Sequence, residues 1–154
     1  MGLSSPGGGG NGFSGYTECV LARGLTLQTV SANTSTLISF DTEISDPVGW
    51  ITVPGTTATC PAGQAGLYVV AVRFGSVAVP TLARAVVDLS IARAGSPYIA
   101  WSGQWRYTNF VWVTGITPIQ VGDTVTVSPY HEEVGVTHSV AANLYLYKLD
   151  ILRP

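Results

Sequence analysis

Residues with side chains able to do chemistry are few in this 154-residue chain, and they are scattered. His131-Glu132-Glu133, with His138 further on, is the densest group of potential ligands. Paired glutamates in a loop suit calcium, which takes oxygen donors. No Asp-x-Asp-x-Asp spacing accompanies them, so the stretch reads as a solvated hairpin tip. The two histidines would make an interface pH-sensitive if they met one. Asp41 and Glu43, two apart on a strand, would share a face about 7 Å apart, as the acids of some glycosidases do. With Asp46 they read instead as a solvated rim around the turn Ser45-Asp46-Pro47. His138-Ser139 sets a base beside a hydroxyl, but adjacent strand residues point to opposite faces. Gly12-Phe-Ser-Gly15 falls one residue short of a Gly-x-Ser-x-Gly elbow. The sole lysine, Lys148, sits in the last strand and serves no phosphate loop. Cys19 and Cys60 lack metal-ligand spacing and read as two reduced, buried thiols. No catalytic residue, cofactor or metal is expected.

The segment Tyr98, Trp101, Trp105, Tyr107, Phe110 and Trp112 holds three of the four tryptophans. Exposed Trp101 and Trp105 beside Gln104, Arg106 and Asn109 would make a stacking platform for a host-surface glycan. The opposing reading sends these rings to the core and a subunit interface, where Trp, Tyr and Arg are enriched. The exposure of Trp101 and Trp105 separates the two.

These residues must be held by strands. Leu25 to Val30 alternates apolar and polar with period two, and so does Asp123 to Tyr130. Thr36 to Ile44, Trp50 to Val53, Ala83 to Ala92, Tyr98 to Trp101, Asn109 to Thr114 and Val140 to Ile151 are further candidates. Gly66 to Phe74 is long, apolar and β-branched, as a central strand covered on both faces would be. Val69 and Val125 are expected in the core. Eighteen glycines and nine prolines punctuate these runs, and no stretch sustains a 3.6-residue period. The fold class is therefore all-β, a sandwich or jelly roll of about ten antiparallel strands.

Composition narrows the partners. Hydrophobic residues make up 46% and charged residues 10%, which excludes an intrinsically disordered chain. Seven Lys plus Arg, spread singly in a chain of net charge −2, exclude a nucleic-acid surface. The longest apolar run, Leu67 to Val72, stops at Arg73, far short of a membrane span. Met1 to Gly10 has neither a basic nor an apolar signal region, and Pro6 stands where a myristoylation motif wants Ser or Thr. So little charge on so apolar a chain implies that its surface is covered by copies of itself or by a larger assembly.

Residues 1–24 open with a glycine-rich stretch that includes Gly7 to Gly10. Glycine lets a backbone lie close to a partner surface, with Leu3, Phe13 and Tyr16 as isolated apolar anchors. This segment reads as an attachment arm and residues 25–154 as the head.

The order of several motifs resembles the C1q/TNF-like jelly roll. They are Ile38-Ser-Phe-Asp41, Gly66-Leu-Tyr-Val-Val-Ala-Val, Val121-Gly-Asp-Thr-Val-Thr-Val127 and the terminal strand His138 to Leu146. The third is similar to the family's leucine-x-x-glycine-aspartate-x-valine signature. In the last, Ala141 and Ala142 depart from the family's serine-x-phenylalanine-serine-glycine pattern. The resemblance implies a homotrimer around a three-fold axis. Glycines 7–10 are contiguous, so no collagen-like stalk is present there. A bare head with a short arm resembles the C1q-like heads of bacteriophage particles. That implies a virion protein at the particle surface: a capsid decoration or head fibre, bound through its arm to the major capsid or another virion protein. The alternative is the receptor- or glycan-binding head of a tail fibre. A secreted cytokine-like ligand and an enzyme rank below both.

Overall fold

The computed structural model describes residues 13–78, 84–94, 96–105 and 108–151, with side chains except those of 13–21, 97, 99 and 151. Within them the chain forms nine strands: β1 Phe13–Ser31, β2 Thr42–Ser45, β3 Thr57–Thr59, β4 Gly66–Ser76, β5 Ala85–Arg93, β6 Ser96–Gln104, β7 Phe110–Ile119, β8 Thr124–His131 and β9 Thr137–Ile151. They build two antiparallel sheets, one ordered β2-β1-β9-β4-β7 and the other β3-β8-β5-β6. This is a C1q/TNF-like jelly roll. No helix among the described residues is long and apolar enough to cross a membrane.

Period-two patterning makes the sandwich. Val125, Val127 and His131 of β8 point inward, as do Val140, Ala142, Leu144 and Leu146 of β9. Between the sheets, Phe40, Trp50, Tyr68, Phe74, Leu89 and Ile91 complete a single core. Trp50 and Tyr68 meet edge to face with centroids 5.2 Å apart, an arrangement that matches ring edge to ring face. Trp101 also faces inward, packed against the backbone of Gly115 on the opposite sheet. A Cβ there would stand 2.0 Å from the indole, so only glycine leaves the room.

Several expectations are corrected. Residues 13–24, placed in the arm by sequence, are paired with β9 from Phe13↔Ile151 to Gly24↔Ala142. Residues 13–24 hold only Gly15 and Gly24, and their main-chain groups find ladder partners on β9 whatever the side chains. Residues 1–12, with Leu3, lie outside the described residues, and so do the side chains of Phe13, Tyr16 and Cys19. Val69 is half-buried on the outer face of β4 while Val70 takes the core position, because parity in the register puts Tyr68, Val70, Val72 and Phe74 inside. Trp50 to Val53 forms no strand. Both Asp46 carboxylate oxygens accept from main-chain N–H groups there, of Trp50 and Ile51, at 2.8 Å each. Leu25 and Leu27 point to solvent, 60% and 55% exposed, because the inward positions of β1 are Ala22, Gly24 and Val30, a parity that the two-residue bulge between Gly24 and Gln28 keeps.

Candidate functional site

The surface that differs most from an ordinary soluble exterior is the outer face of the five-stranded sheet. Register aligns Trp112, Arg73, Asn143 and Arg23 in one row across β7, β4, β9 and β1. The next rows carry Thr114, Ala71 and Tyr145, then Ile116, Val69 and Tyr147. Trp112 lies 5.4 Å from Tyr145, which stacks on Tyr147 at 6.4 Å. Trp112 and Ile116 remain 52% and 62% exposed, and Phe110 follows along the same edge strand at 55%. Strand residues two apart share a face, so β7 and β9 each lay a stripe of large side chains here. A contiguous apolar face of this kind marks an interaction surface. Sequence reasoning predicted a covered surface and offered Phe110 and Trp112 among the rings of a core or subunit interface, but did not name Ile116, Tyr145 or Tyr147. The alternation of β7, with inward Val113, Gly115, Thr117 and Ile119, was the available signal.

The histidines are not at a solvated tip. Both are buried, His131 fully and His138 to within 2%, with ring centroids 4.6 Å apart. His131 Nδ1 accepts from the main-chain N–H of Glu133 at 3.2 Å, which leaves Nε2–H to donate to the Val30 carbonyl at 3.0 Å. That pairing is the neutral tautomer. His138 Nε2 lies 3.0 Å from a Glu133 carboxylate oxygen, while its buried Nδ1 has no hydrogen-bond partner among the described residues. The Trp105 ring meets both imidazoles edge to face, at 6.1 and 5.2 Å. Parity with the buried valines of β8 and β9 was the signal that places both inside. Glu132 turns instead toward Arg84, 4.0 Å away at the surface. Among the described residues no three His, Cys, Asp or Glu side chains gather to hold a metal ion.

The glycan platform is not assembled. Trp105 is completely buried and donates Nε1–H to the Val86 carbonyl at 3.0 Å. Trp101 faces the core, Gln104 is exposed at the end of β6, and Arg106 lies outside the described residues. Asn109 is exposed beside β4, its carbonyl accepting from the Ser76 N–H. Both rings turn inward because Trp101 pairs with inward Leu89 and Trp105 closes the end of the core over Phe74.

The acids serve the backbone. Asp41 accepts the Leu25 and Thr26 N–H groups at 2.9 and 2.8 Å, capping the β1 bulge. Hydrogen bonds from the Thr26 side chain and these two amides hold its carboxyl well below the usual carboxylate range, so it stays ionised and keeps no proton to donate as a general acid. Glu43 is exposed on β2. Cys60 is buried, with its Sγ 3.7 Å from the Pro61 carbonyl oxygen.

Gly122-Asp123 is a structural hub. Gly122, at φ +84°, makes a turn closed by the Asp123 N–H on the Gln120 carbonyl at 3.0 Å. The buried Asp123 carboxylate then accepts from Arg93 Nε and Nη2, the Tyr98 hydroxyl and the Gln120 N–H, all at 2.8 to 2.9 Å. The Arg93 hydrogen bonds, against the opposing effect of burial, hold its pKa at about 2. Burial, and then its hydrogen bond to Asp123, push the Tyr98 phenol up. The unfolded carboxyl titrates near 3.9, so below that value the unfolded chain binds more protons than the folded one. This contribution is complete above about pH 5 and fades as pH falls through 4 toward 2. Asp123→Asn turns an NH₂ toward donors and is expected to cost about 2 kcal/mol at neutral pH. Urea unfolding from pH 2 to 7 should show the gap between wild type and variant closing in acid. An unchanged gap at pH 2 would refute this role.

No protein-family model and no curated protein sequence matches the chain. Solved structures do. The vertex protein P5 of phage PRD1 superposes with a TM-score of 0.60 at 13% identity, over 86% of this chain and 98% of that one. The globular domain of zebrafish complement 1qA gives 0.55 at 18% identity, over 88% and 99%. Murine APRIL gives 0.51 at 11%, over 82% and 98%. With nearly the whole of each of those chains matched, this chain has the fold of a C1q/TNF-like jelly-roll head.

Proposed function

We propose that this chain is the trimeric head of a bacteriophage virion structural protein, a capsid decoration or head-fibre protein displayed at the particle surface. The observation that carries the reading is the exposed aromatic face of the five-stranded sheet. A single copy leaves Trp112, Ile116 and Phe110 in water, and two further copies around a three-fold axis would cover them. The likeness to a phage vertex protein supports the setting. Major capsid or another virion protein is the partner we assign to the arm, now confined to the segment before β1. Nothing in this role calls for catalysis.

The purified chain should sediment at about 48 kDa, three times its 16.1 kDa, down to micromolar concentration. A monomer would overturn the reading. Deleting residues 2–12 should leave that trimer intact and abolish its incorporation into virions produced from the phage genome. Full incorporation of the truncated chain would move attachment onto the jelly roll itself.

A further inference from the structure

The face that a trimer covers carries two arginines as well as its rings. Arg73 and Arg23 lie in the row Trp112, Arg73, Asn143, Arg23 on the outer side of the five-stranded sheet. Among the described residues neither has a carboxylate partner. Arg73 has the Phe110 ring of its own copy, with the guanidinium 5.9 Å from the centroid. Arg23 has no such ring among the described residues, and its buried Nε has no hydrogen-bond partner among them. A cation that assembly takes out of water is destabilising unless another group replaces its hydration.

Symmetry says where that group comes from. A three-fold ring is closed by heterologous contacts, in which one patch of each copy meets a different patch of the next. The strand order β2-β1-β9-β4-β7 puts Trp112 on the edge strand at one flank and Arg23 one strand from the edge at the other. Rotation about an axis leaves height along that axis unchanged. With the strands running along the axis, the rows run across it, so members of one row meet members of the same row in the next copy. At this height the β2 edge offers only Thr42, which pairs with Arg23 and is short enough to leave the guanidinium within reach of a neighbour. Trp112 leans on Tyr145 and is still 52% exposed. Indole is the best aromatic partner for a cation, and a planar guanidinium stacks on it and gives up its weak hydration readily.

We propose that in the trimer the Trp112 ring of each copy stacks on Arg23 of the next, so that three such contacts close the ring and fix the register between copies. This rests on the trimeric reading above and adds which flank meets which. In the full chain with Cys19→Ser, and with Cys60 buried, Arg23→Cys combined with Trp112→Cys should be joined by a short bis-maleimide into covalent dimers and trimers on a denaturing gel. Within one copy the two positions are three strands apart, about 14 Å, beyond such a linker. Neither substitution alone should cross-link, nor should Arg23→Cys with Val134→Cys, at the tip between β8 and β9. Sedimentation equilibrium gives the second readout. Arg23→Gln and Trp112→Ala should each weaken the trimer at least ~10-fold, because three contacts are lost at once. Arg23→Gln should have no further effect once Trp112 is replaced by alanine, as for two groups that act only through each other. Cross-linking by either single variant, no cross-link in the pair, or effects that multiply would overturn this contact while wild type stays trimeric. A monomeric wild type would overturn the trimer and the contact together.

Discussion

Trp105→Ala is expected to lower the free energy of unfolding by about 3–5 kcal/mol, the range for deleting a large aromatic side chain from a packed core. The ring is fully buried, meets Phe74 edge to face at 5.2 Å, and covers both imidazoles. Its removal also takes the Nε1–H donor from the Val86 carbonyl and opens a cavity beside the buried His138 ring. Trp105→Phe keeps most of the packing and loses the hydrogen bond, so about 1–2 kcal/mol is expected. Equilibrium urea unfolding measures both. A sugar-stacking residue would behave in the opposite way, with stability near wild type after truncation to alanine. A loss below about 1 kcal/mol for Trp105→Ala would therefore contradict the buried assignment.

The second large effect is expected on assembly. Trp112→Asp with Ile116→Asp should weaken self-association at least ~100-fold, because a closed trimer would bury three copies of each new charge. Both side chains are more than half exposed in the single chain, so the doubly substituted protomer should still fold. Val134→Asp, at the exposed tip between β8 and β9, is the control and should leave the trimer unchanged. Sedimentation velocity across micromolar concentrations reads the outcome. A double variant that stays trimeric would remove this face as the interface.

Much of the architecture was written in the sequence because alternation is a local property. In β8, the run Thr124 to His131 alternates without a break, and the strand forms as expected. Gly122-Asp123 likewise marked a turn, since glycine at a positive φ is a local requirement. The same alternation would have buried His131 and His138 had parity been carried to the ends of β8 and β9. Their mutual contact was beyond it, because the two rings come from different strands on opposite sheets.

Register and bulges decided the rest. In β1 the inward positions are Ala22, Gly24 and Val30, and the irregularity between Gly24 and Gln28 adds two residues and so keeps that parity, which leaves Leu25 and Leu27 outward although their spacing reads as an inward stripe. Whether Trp101 would face solvent or core depended on Gly115, which approaches it from β7 on the other sheet. The four donors on Asp123 come from Arg93, Tyr98 and Gln120, groups that only the folded sheets bring within 3 Å. The sequence by itself determined an all-β chain with more apolar surface than one copy can hide. Which face carries that surface was decided by the pairing of β7, β4 and β9, since alternation defines two faces but only long-range register tells which one turns outward.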